Sequence, residues 1–258
     1  FSVRIGSEMK GRRDEIAALA DDFDISAQRL DELRQAQQRL LHDVSHELRS
    51  PLSRIRAAIG VLEQNPAKSA TMMERLVREI ERIDDLVGEI LTLARLTSRS
   101  DEAEIQAVDI IDLVNEILND ASFEGEARGI TLTSSVAGTF VAEVNGELIY
   151  RALENVVRNA VKHTAENTHV SVGCRIEGEV LRVCVADEGP GVSEDELETI
   201  FEPFSRGSGP VATAGYGLGL AIARRAVERH GGSVRASRAP GGGLQINFVI
   251  PRSPLRRS

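Results

Sequence analysis

Cysteine, aromatic residues and long apolar runs are all scarce in this chain of 258 residues. The two cysteines, Cys174 and Cys184, form no CxxC pair, which argues against both a zinc site and a disulfide framework. No run of about 18 apolar residues is present, so the sequence predicts no membrane-spanning helix. The formal net charge of −9 argues against a general nucleic-acid binder, whose surface would be basic. A hydrophobic share of 41% excludes a wholly disordered chain.

The first hundred residues follow a helical pattern. Apolar residues recur at three- and four-residue steps from Leu30 to Leu62, and again from Leu76 to Ala94. A break at 63–69 separates two predicted helices, which cover residues 12–62 and 70–96. Two such helices form an antiparallel hairpin whose apolar seam a single copy cannot cover. Pairing two hairpins into a four-helix bundle covers the seam, so we expect a homodimer.

The rest of the chain alternates between strand-like and helical patterns after a polar linker at 97–104. Helices are predicted at 110–127, 146–162 and 218–230. Strands are predicted at 130–134, 139–143, 170–176, 180–186, 233–239 and 244–250. Elements mixed in this order predict a two-layer α/β sandwich. The expected fold class is therefore a dimeric antiparallel four-helix bundle followed by a two-layer α/β sandwich.

One of the five histidines lies in a setting suited to chemistry. His46 is followed by Glu47 and, one helical turn later, by Ser50. A nucleophilic histidine needs an exposed ring nitrogen, and a carboxylate beside it can take its proton. An ordinary surface histidine is the alternative.

A second candidate is a polar face on the predicted helix 146–162. Asn155, Asn159 and Lys162 lie on it at steps of four and three. An amide oxygen is a suitable ligand for Mg²⁺, and a lysine can balance the charge of a phosphate. The face therefore suits a metal-bound polyphosphate, although a solvated polar face is the plainer interpretation.

A third candidate follows the predicted strand 180–186. Asp187 ends the strand, and Gly189 and Gly191 come soon after it. The pattern is typical of a simple turn. It also fits a carboxylate presented to the amino group of a ligand, with glycines that allow a close approach.

The fourth candidate is a glycine-rich stretch that opens a predicted helix. Gly215, Gly217 and Gly219 leave backbone N–H groups exposed at a helix N-terminus, where phosphates bind. Their spacing matches neither the dinucleotide fingerprint nor the Walker A loop. The loose stretch 207–214 before them predicts a mobile lid, with Arg206 near a phosphate.

Taken together and in this order, the motifs resemble the sensor histidine kinases of bacterial two-component systems. The resemblance runs through five boxes: 46–52 is similar to the phosphoacceptor H box, 154–163 to the N box, 187–191 to the G1 box, 201–204 to the F box and 215–220 to the G2 box. Residues 13–24 are similar to the second helix of a HAMP relay module. The overall likeness is greatest to envelope-stress and osmosensing kinases of Gram-negative bacteria.

The resemblance implies three domains: the end of a HAMP module and signalling helix at 1–36, a dimerisation and histidine phosphotransfer domain at 37–100, and a catalytic ATP-binding domain at 101–258. The last would share the fold of gyrase and Hsp90. The implied enzyme is a protein-histidine kinase that uses ATP and Mg²⁺, forms a homodimer and passes its phosphoryl group to an aspartate of a response regulator. The chain would be the cytoplasmic portion of an inner-membrane sensor, joined to the membrane only through an upstream segment.

The resemblance also implies roles for individual residues. His46 would be phosphorylated, with Glu47 as its acid/base partner. The nucleotide site would comprise Asn155, Asn159 as the Mg²⁺ ligand, Lys162, His163, Asp187 at the adenine amino group, Gly189, Gly191, Arg206 at the γ-phosphate, Gly215, Gly217, Leu218 and Gly219. Ser50 stands where the family often has threonine, and its hydroxyl would serve phosphatase activity toward the regulator. His163 stands where tyrosine is frequent.

Two other functions fit part of this pattern. An ATPase of the gyrase or Hsp90 type would use ATP as a conformational clamp, but it needs no phosphoacceptor helix. A signalling scaffold would dimerise and bind nucleotide without transfer, but it would not need every chemical group that this chain retains.

Overall fold

The computed structural model describes residues 15–65, 69–97, 104–205 and 215–253. The chain divides into two compact units, Phe1–Ile83 and Asp84–Ser258. The boundary between them falls inside the second helix. Among the described residues, none of the helices is long and apolar enough to cross a membrane.

Two long helices carry the pattern predicted for the first hundred residues. Helix α1 spans Glu15–Gln64 and continues through Pro51, and α2 spans Ser69–Thr97. Within the first unit, the buried carboxylate of Glu79 on α2 accepts hydrogen bonds from Arg54 on α1 and from Arg82 on α2, both at 2.8 Å. The predicted hairpin is therefore held by an ion-pair network as well as by apolar packing.

The second unit adds an α/β arrangement. Its elements are β1 (Gln106–Asp109), α3 (Ile110–Glu126), β2 (Thr131–Ser135), β3 (Val141–Val144), α4 (Gly146–His163), β4 (His169–Glu177), β5 (Val180–Asp187), α5 (Glu196–Thr199), α6 (Gly219–Arg229), β6 (Ser233–Arg238) and β7 (Leu244–Pro251). The sequence patterns predicted all of them except β1 and α5. Both exceptions are only four residues long, too short to carry a clear periodicity.

Five strands form the main sheet in the order β2-β4-β5-β7-β6, with β2 and β4 parallel and the other pairs antiparallel. Along β5, Leu181, Val183 and Val185 are buried, whereas Arg182 between them is exposed. One face of the sheet therefore meets the apolar faces of α3, α4 and α6, as in a two-layer sandwich. A separate antiparallel pair joins β1 to β3.

Polar side chains cap the N-termini of α3 and α4. Asp109 caps α3 by accepting from the backbone N–H of Ile111, and Asn145 caps α4 by accepting from that of Leu148. The buried ring of His230, at the end of α6, accepts from the Asn145 N–H through Nε2 at 3.0 Å. Its Nδ1 lies 2.7 Å from the Ala226 carbonyl oxygen, so Nδ1 carries the proton of a neutral ring. Burial lowers the pKa of His230, and the ring fixes α4 against α6.

Candidate functional site

His46 lies on α1 with its side chain exposed. The ring of His42, one turn earlier, meets it edge to face with 4.4 Å between the ring centroids. Sequence reasoning did not single out His42, although the four-residue spacing was a usable signal. The structure therefore gives His46 the accessibility that a nucleophile needs, with a second imidazole beside it.

Ser50 takes part in the hydrogen-bond network that joins the two helices of the hairpin. Its exposed hydroxyl oxygen accepts a hydrogen bond from Arg54 Nη1 at 2.7 Å, and the same guanidinium donates to Glu79. Glu47 is half-buried beside His46.

Asp187 is buried at the end of β5, with 5% of its surface exposed. Its Oδ1 accepts from the backbone N–H of Gly189 at 2.8 Å and from that of Leu244 at 3.2 Å. Burial raises the pKa of Asp187, and these two hydrogen bonds act in the opposite direction. No described residue donates to Oδ2, which can therefore accept from a ligand.

Gly189 and Gly191 are required by the protein's own packing. A Cβ at Gly189 would lie 2.6 Å from the His163 carbonyl oxygen, and one at Gly191 would lie 2.9 Å from the Gly243 carbonyl oxygen. A Cβ at Gly243 would overlap the Asp187 carbonyl oxygen. Sequence reasoning missed Gly243, because its partners lie more than fifty positions earlier in the chain.

The polar face of α4 meets the glycine-rich stretch before α6. Asn155 Nδ2 donates to the Gly219 carbonyl oxygen at 3.4 Å. The Lys162 ammonium is so close to Gly215 that a Cβ there would lie 2.7 Å from Nζ. The side chain of Asn159, half-buried on the same face, makes no hydrogen bond to any residue in the described ranges. The structure thus brings together two motifs that are about fifty residues apart.

The N-terminus of α6 offers main-chain groups, rather than side chains, to a ligand. The Leu218 side chain is fully buried, so only its main chain can face a ligand. Gly217 has a φ of +72°, and a Cβ there would lie 2.5 Å from the Ser205 carbonyl oxygen. Among the described residues, no side chain caps the first N–H groups of α6. Such an N-terminus suits a phosphate.

The C-terminus of α4 is capped by Arg128, a residue that sequence reasoning did not assign to the site. Its guanidinium donates to the carbonyl oxygens of Val161, Lys162 and Thr164. Burial, and then the charges of Lys162 and Arg128, lower the pKa of His163, which is half-buried at this end.

These groups form a site that can accept an amino group at one end and bind anionic oxygens at the other. The Asn159 amide oxygen is a hard ligand of the kind that Mg²⁺ accepts alongside phosphate oxygens and water, so the residues present fit that ion. No cluster of three or more His, Cys, Asp or Glu side chains suited to a metal occurs in the part of the chain that the structure describes. Arg206 and the predicted lid at 207–214 lie outside the described residues.

Comparison with known proteins decides the family. Residues 36–99 match the His Kinase A (phospho-acceptor) domain, and residues 144–254 match the histidine kinase-, DNA gyrase B-, and HSP90-like ATPase. The chain is 32% identical over 253 residues to the sensor histidine kinase CpxA of Escherichia coli strain K12, with 97% of this chain and 54% of CpxA covered. This chain belongs to the sensor histidine kinases. It spans about half the length of that curated relative.

Two solved structures share the predicted fold. Full-length ShkA in complex with AMPPNP is 30% identical, has a TM-score of 0.61 and covers 84% of this chain, which covers 46% of ShkA. ThkA in complex with the response regulator protein TrrA shares the fold at 24% identity, with a TM-score of 0.68 and coverage of 89% of this chain and 67% of ThkA. The expected hairpin followed by an α/β sandwich is thereby confirmed.

Proposed function

We propose that this chain is the kinase portion of a longer sensor protein and transfers the γ-phosphoryl group of ATP to its own His46. The observation that carries the proposal is the pairing, in one chain, of an exposed histidine on a hairpin helix with a convergent nucleotide site. In that site Asp187 Oδ2 is open to an amino group, and the face of α4 meets the start of α6.

The nucleotide is positioned by groups of different chemistry. Asp187 Oδ2 accepts from the adenine amino group while Oδ1 remains bound to the backbone. Lys162 and the N–H groups of 217–220 bind phosphate oxygens, and Asn155 holds Gly219 in place. Asn159 would hold Mg²⁺, which supplies neutralisation of phosphate charge when bound. His163 and the backbone of Gly215 and Leu218 complete the proposed site, and Arg206 is proposed at the γ-phosphate.

The chemical step needs a neutral imidazole and a proton acceptor. A ring nitrogen of His46 attacks the γ-phosphorus, the bond to the bridging oxygen breaks, and ADP leaves with that electron pair. The proton of the imidazole passes to Glu47, the carboxylate next to it. In-line positioning and charge neutralisation supply most of the rate enhancement in phosphoryl transfer.

We extend the proposal to the rest of the signalling path. The phosphoryl group passes from His46 to an aspartate of a separate response regulator, and Ser50 orients a water that later hydrolyses that phosphoaspartate. The proposed domains are 1–36 as a HAMP remnant and signalling helix, 37–100 for dimerisation and phosphotransfer, and 101–258 for ATP binding. The chain is proposed as the cytoplasmic portion of a membrane sensor.

A labelling experiment tests the proposal. Incubation with Mg²⁺ and ATP labelled in the γ-phosphate should label the chain through a bond that alkali leaves intact and acid hydrolyses. ATP labelled in the α-phosphate is the matched control and should leave the chain unlabelled. Release of labelled phosphate with no label on the protein would contradict the proposal and favour a clamp-type ATPase.

A further inference from the structure

Two histidines of α1 form a pair of metal-ligating side chains outside the nucleotide site. His42 and His46 are four residues apart on a helix that continues without interruption between them, so both project from the same face. Their ring centroids are 4.4 Å apart, and the ring planes are inclined by 60°. Both residues are exposed, so the face that they share is open to solvent.

The ring nitrogens of this pair are available to a ligand. Neither ring makes a hydrogen bond or an ion pair with any residue that the structure describes. The buried ring of His230 is the contrast, since its two nitrogens are engaged by the Asn145 N–H and the Ala226 carbonyl oxygen. A neutral imidazole has one nitrogen that can donate a lone pair, so His42 and His46 together offer two nitrogen ligands.

The spacing of the two rings fits chelation of a single ion. Imidazole is a preferred ligand of Zn²⁺, Cu²⁺ and Ni²⁺, and two histidines at positions i and i+4 of a helix can ligate one zinc ion. Two imidazoles bound to one ion at about 2.0–2.1 Å have ring centroids roughly 4.5–5 Å apart. The observed 4.4 Å is close to that separation, and small rotations of two exposed side chains are sufficient to reach it. Water would complete the coordination, so the ion would exchange with the solution.

The charges around the pair do not oppose a cation. Asp43 and Glu47 each directly follow one of the histidines, and Arg39 and Arg49 lie three residues outside the pair on either side. The Arg39 side chain is directed toward the N-terminus of α1, because its Nε donates to the Gln35 carbonyl oxygen at 3.4 Å. The two negative charges are therefore the nearer ones along the helix.

We propose that His42 and His46 chelate a divalent transition-metal ion such as Zn²⁺, and that the bound ion prevents His46 from accepting a phosphoryl group. The chelation is independent of the proposed function, and only the inhibition rests on it. The ion takes the lone pair with which His46 would attack the γ-phosphorus, and the other ring nitrogen keeps its proton. Mg²⁺ prefers oxygen ligands, so the Mg²⁺ that accompanies ATP does not compete for the two imidazoles.

Calorimetry of Zn²⁺ binding to the full chain, without nucleotide, tests the site. His42→Gln removes one ligand and should weaken binding roughly ten- to a hundredfold, because the second contact of a chelate is made within one molecule. The double variant His42→Gln/Ser45→His restores the number of histidines at adjacent positions, which do not face each other, so it should bind as weakly as His42→Gln. His169→Gln removes an exposed histidine of β4 and should bind Zn²⁺ as the wild type does.

Labelling from γ-labelled ATP tests the consequence of binding. Zn²⁺ at concentrations that saturate the site should prevent labelling of the wild type, whereas His42→Gln should be labelled equally with and without it. Equal Zn²⁺ affinities of the wild type and His42→Gln, or wild-type affinity in the double variant, would overturn the site. Equal inhibition of the wild type and His42→Gln would overturn the block of His46. Chelation by a wild type that is never labelled would overturn the proposed function and support the metal site.

Discussion

The two carboxylate oxygens of Asp187 have separate environments. Oδ1 is fixed by the amides of Gly189 and Leu244, whereas Oδ2 has no donor among the described residues. The sequence left open whether this strand end is a simple turn or carries a ligand carboxylate. The structure shows that Oδ1 builds the turn and that Oδ2 remains available for a ligand, so the two interpretations are compatible.

Asp187→Asn should weaken ATP binding by about 1–3 kcal/mol, the usual effect of leaving a buried polar partner unpaired. The amide oxygen of Asn can still accept from Gly189 and Leu244, which leaves its NH₂ facing the adenine amino group. Calorimetry of both proteins measures the difference. Asp195→Asn, at an exposed position after the same loop, is the control and should bind as the wild type. Unchanged affinity in Asp187→Asn would remove Asp187 as the adenine contact.

Ser50→Ala should separate the two proposed activities. Loss of a group that positions a water should slow dephosphorylation of a phosphorylated response regulator by roughly 10²–10⁴-fold. Labelling of His46 from ATP should change little, because His46, Glu47 and the nucleotide site are untouched, and Ala suits a helix at least as well as Ser. The two rates are measured on the same preparation. If both fall together, Ser50 serves the hairpin through Arg54; if neither falls, it has no phosphatase role.

At the scale of elements, Gly189 and Gly191 were singled out from the sequence for an incomplete reason, and Gly243 was missed. A glycine pattern after a strand indicates a tight turn or a close approach, and the sequence cannot say what approaches. The structure shows that the neighbours are backbone atoms of other elements: His163 at the end of α4 approaches Gly189, and Asp187 at the end of β5 approaches Gly243. Contacts between distant segments such as these depend on the sheet register, which local patterns do not contain.

Gly243→Ala should reduce both stability and ATP affinity, because its Cβ would displace the backbone of Asp187. Gly178→Ala is the matched control: Gly243 and Gly178 have φ of +73° and +60°, yet a Cβ at Gly178 meets nothing within 4 Å. The control should lose about 1 kcal/mol of unfolding free energy from backbone strain alone. Chemical denaturation and calorimetry measure the two effects. Equal losses in both variants, with ATP affinity preserved, would contradict the packing argument.

For the molecule as a whole, periodicity was sufficient to predict the hairpin and most elements of the sandwich. It could not predict β1, which is defined mainly by its pairing with β3, or Arg128 as the cap of α4, which depends on tertiary approach. The apolar face that we propose pairs with a second copy was predicted from the sequence, because Leu52, Ile59, Ile80 and Val87 recur in the helical seam. In the single chain, between 41% and 52% of the surface of each of these side chains remains exposed.

Ile80→Asp should weaken the proposed homodimer, because a carboxylate would replace an apolar side chain in the seam. Full burial of such a side chain is worth about 1.5–3 kcal/mol, so the dissociation constant should rise at least about tenfold. Sedimentation over a range of concentrations measures it. Val141→Asp changes a similarly exposed apolar residue of β3, outside the hairpin, and should leave the dimer intact. A monomeric wild type would contradict the prediction directly.

We propose that His46 receives the phosphoryl group, and His42, one turn earlier, provides the sharpest test of that role. The two imidazoles are one turn apart on α1 and in ring contact, so they share nearly the same surroundings. The decisive measurement is the label retained from γ-labelled ATP by His46→Gln and by His42→Gln, each shown to bind ATP and to dimerise as the wild type does. If His46 is the acceptor, His46→Gln carries no label and His42→Gln retains it. Full labelling of His46→Gln would contradict it.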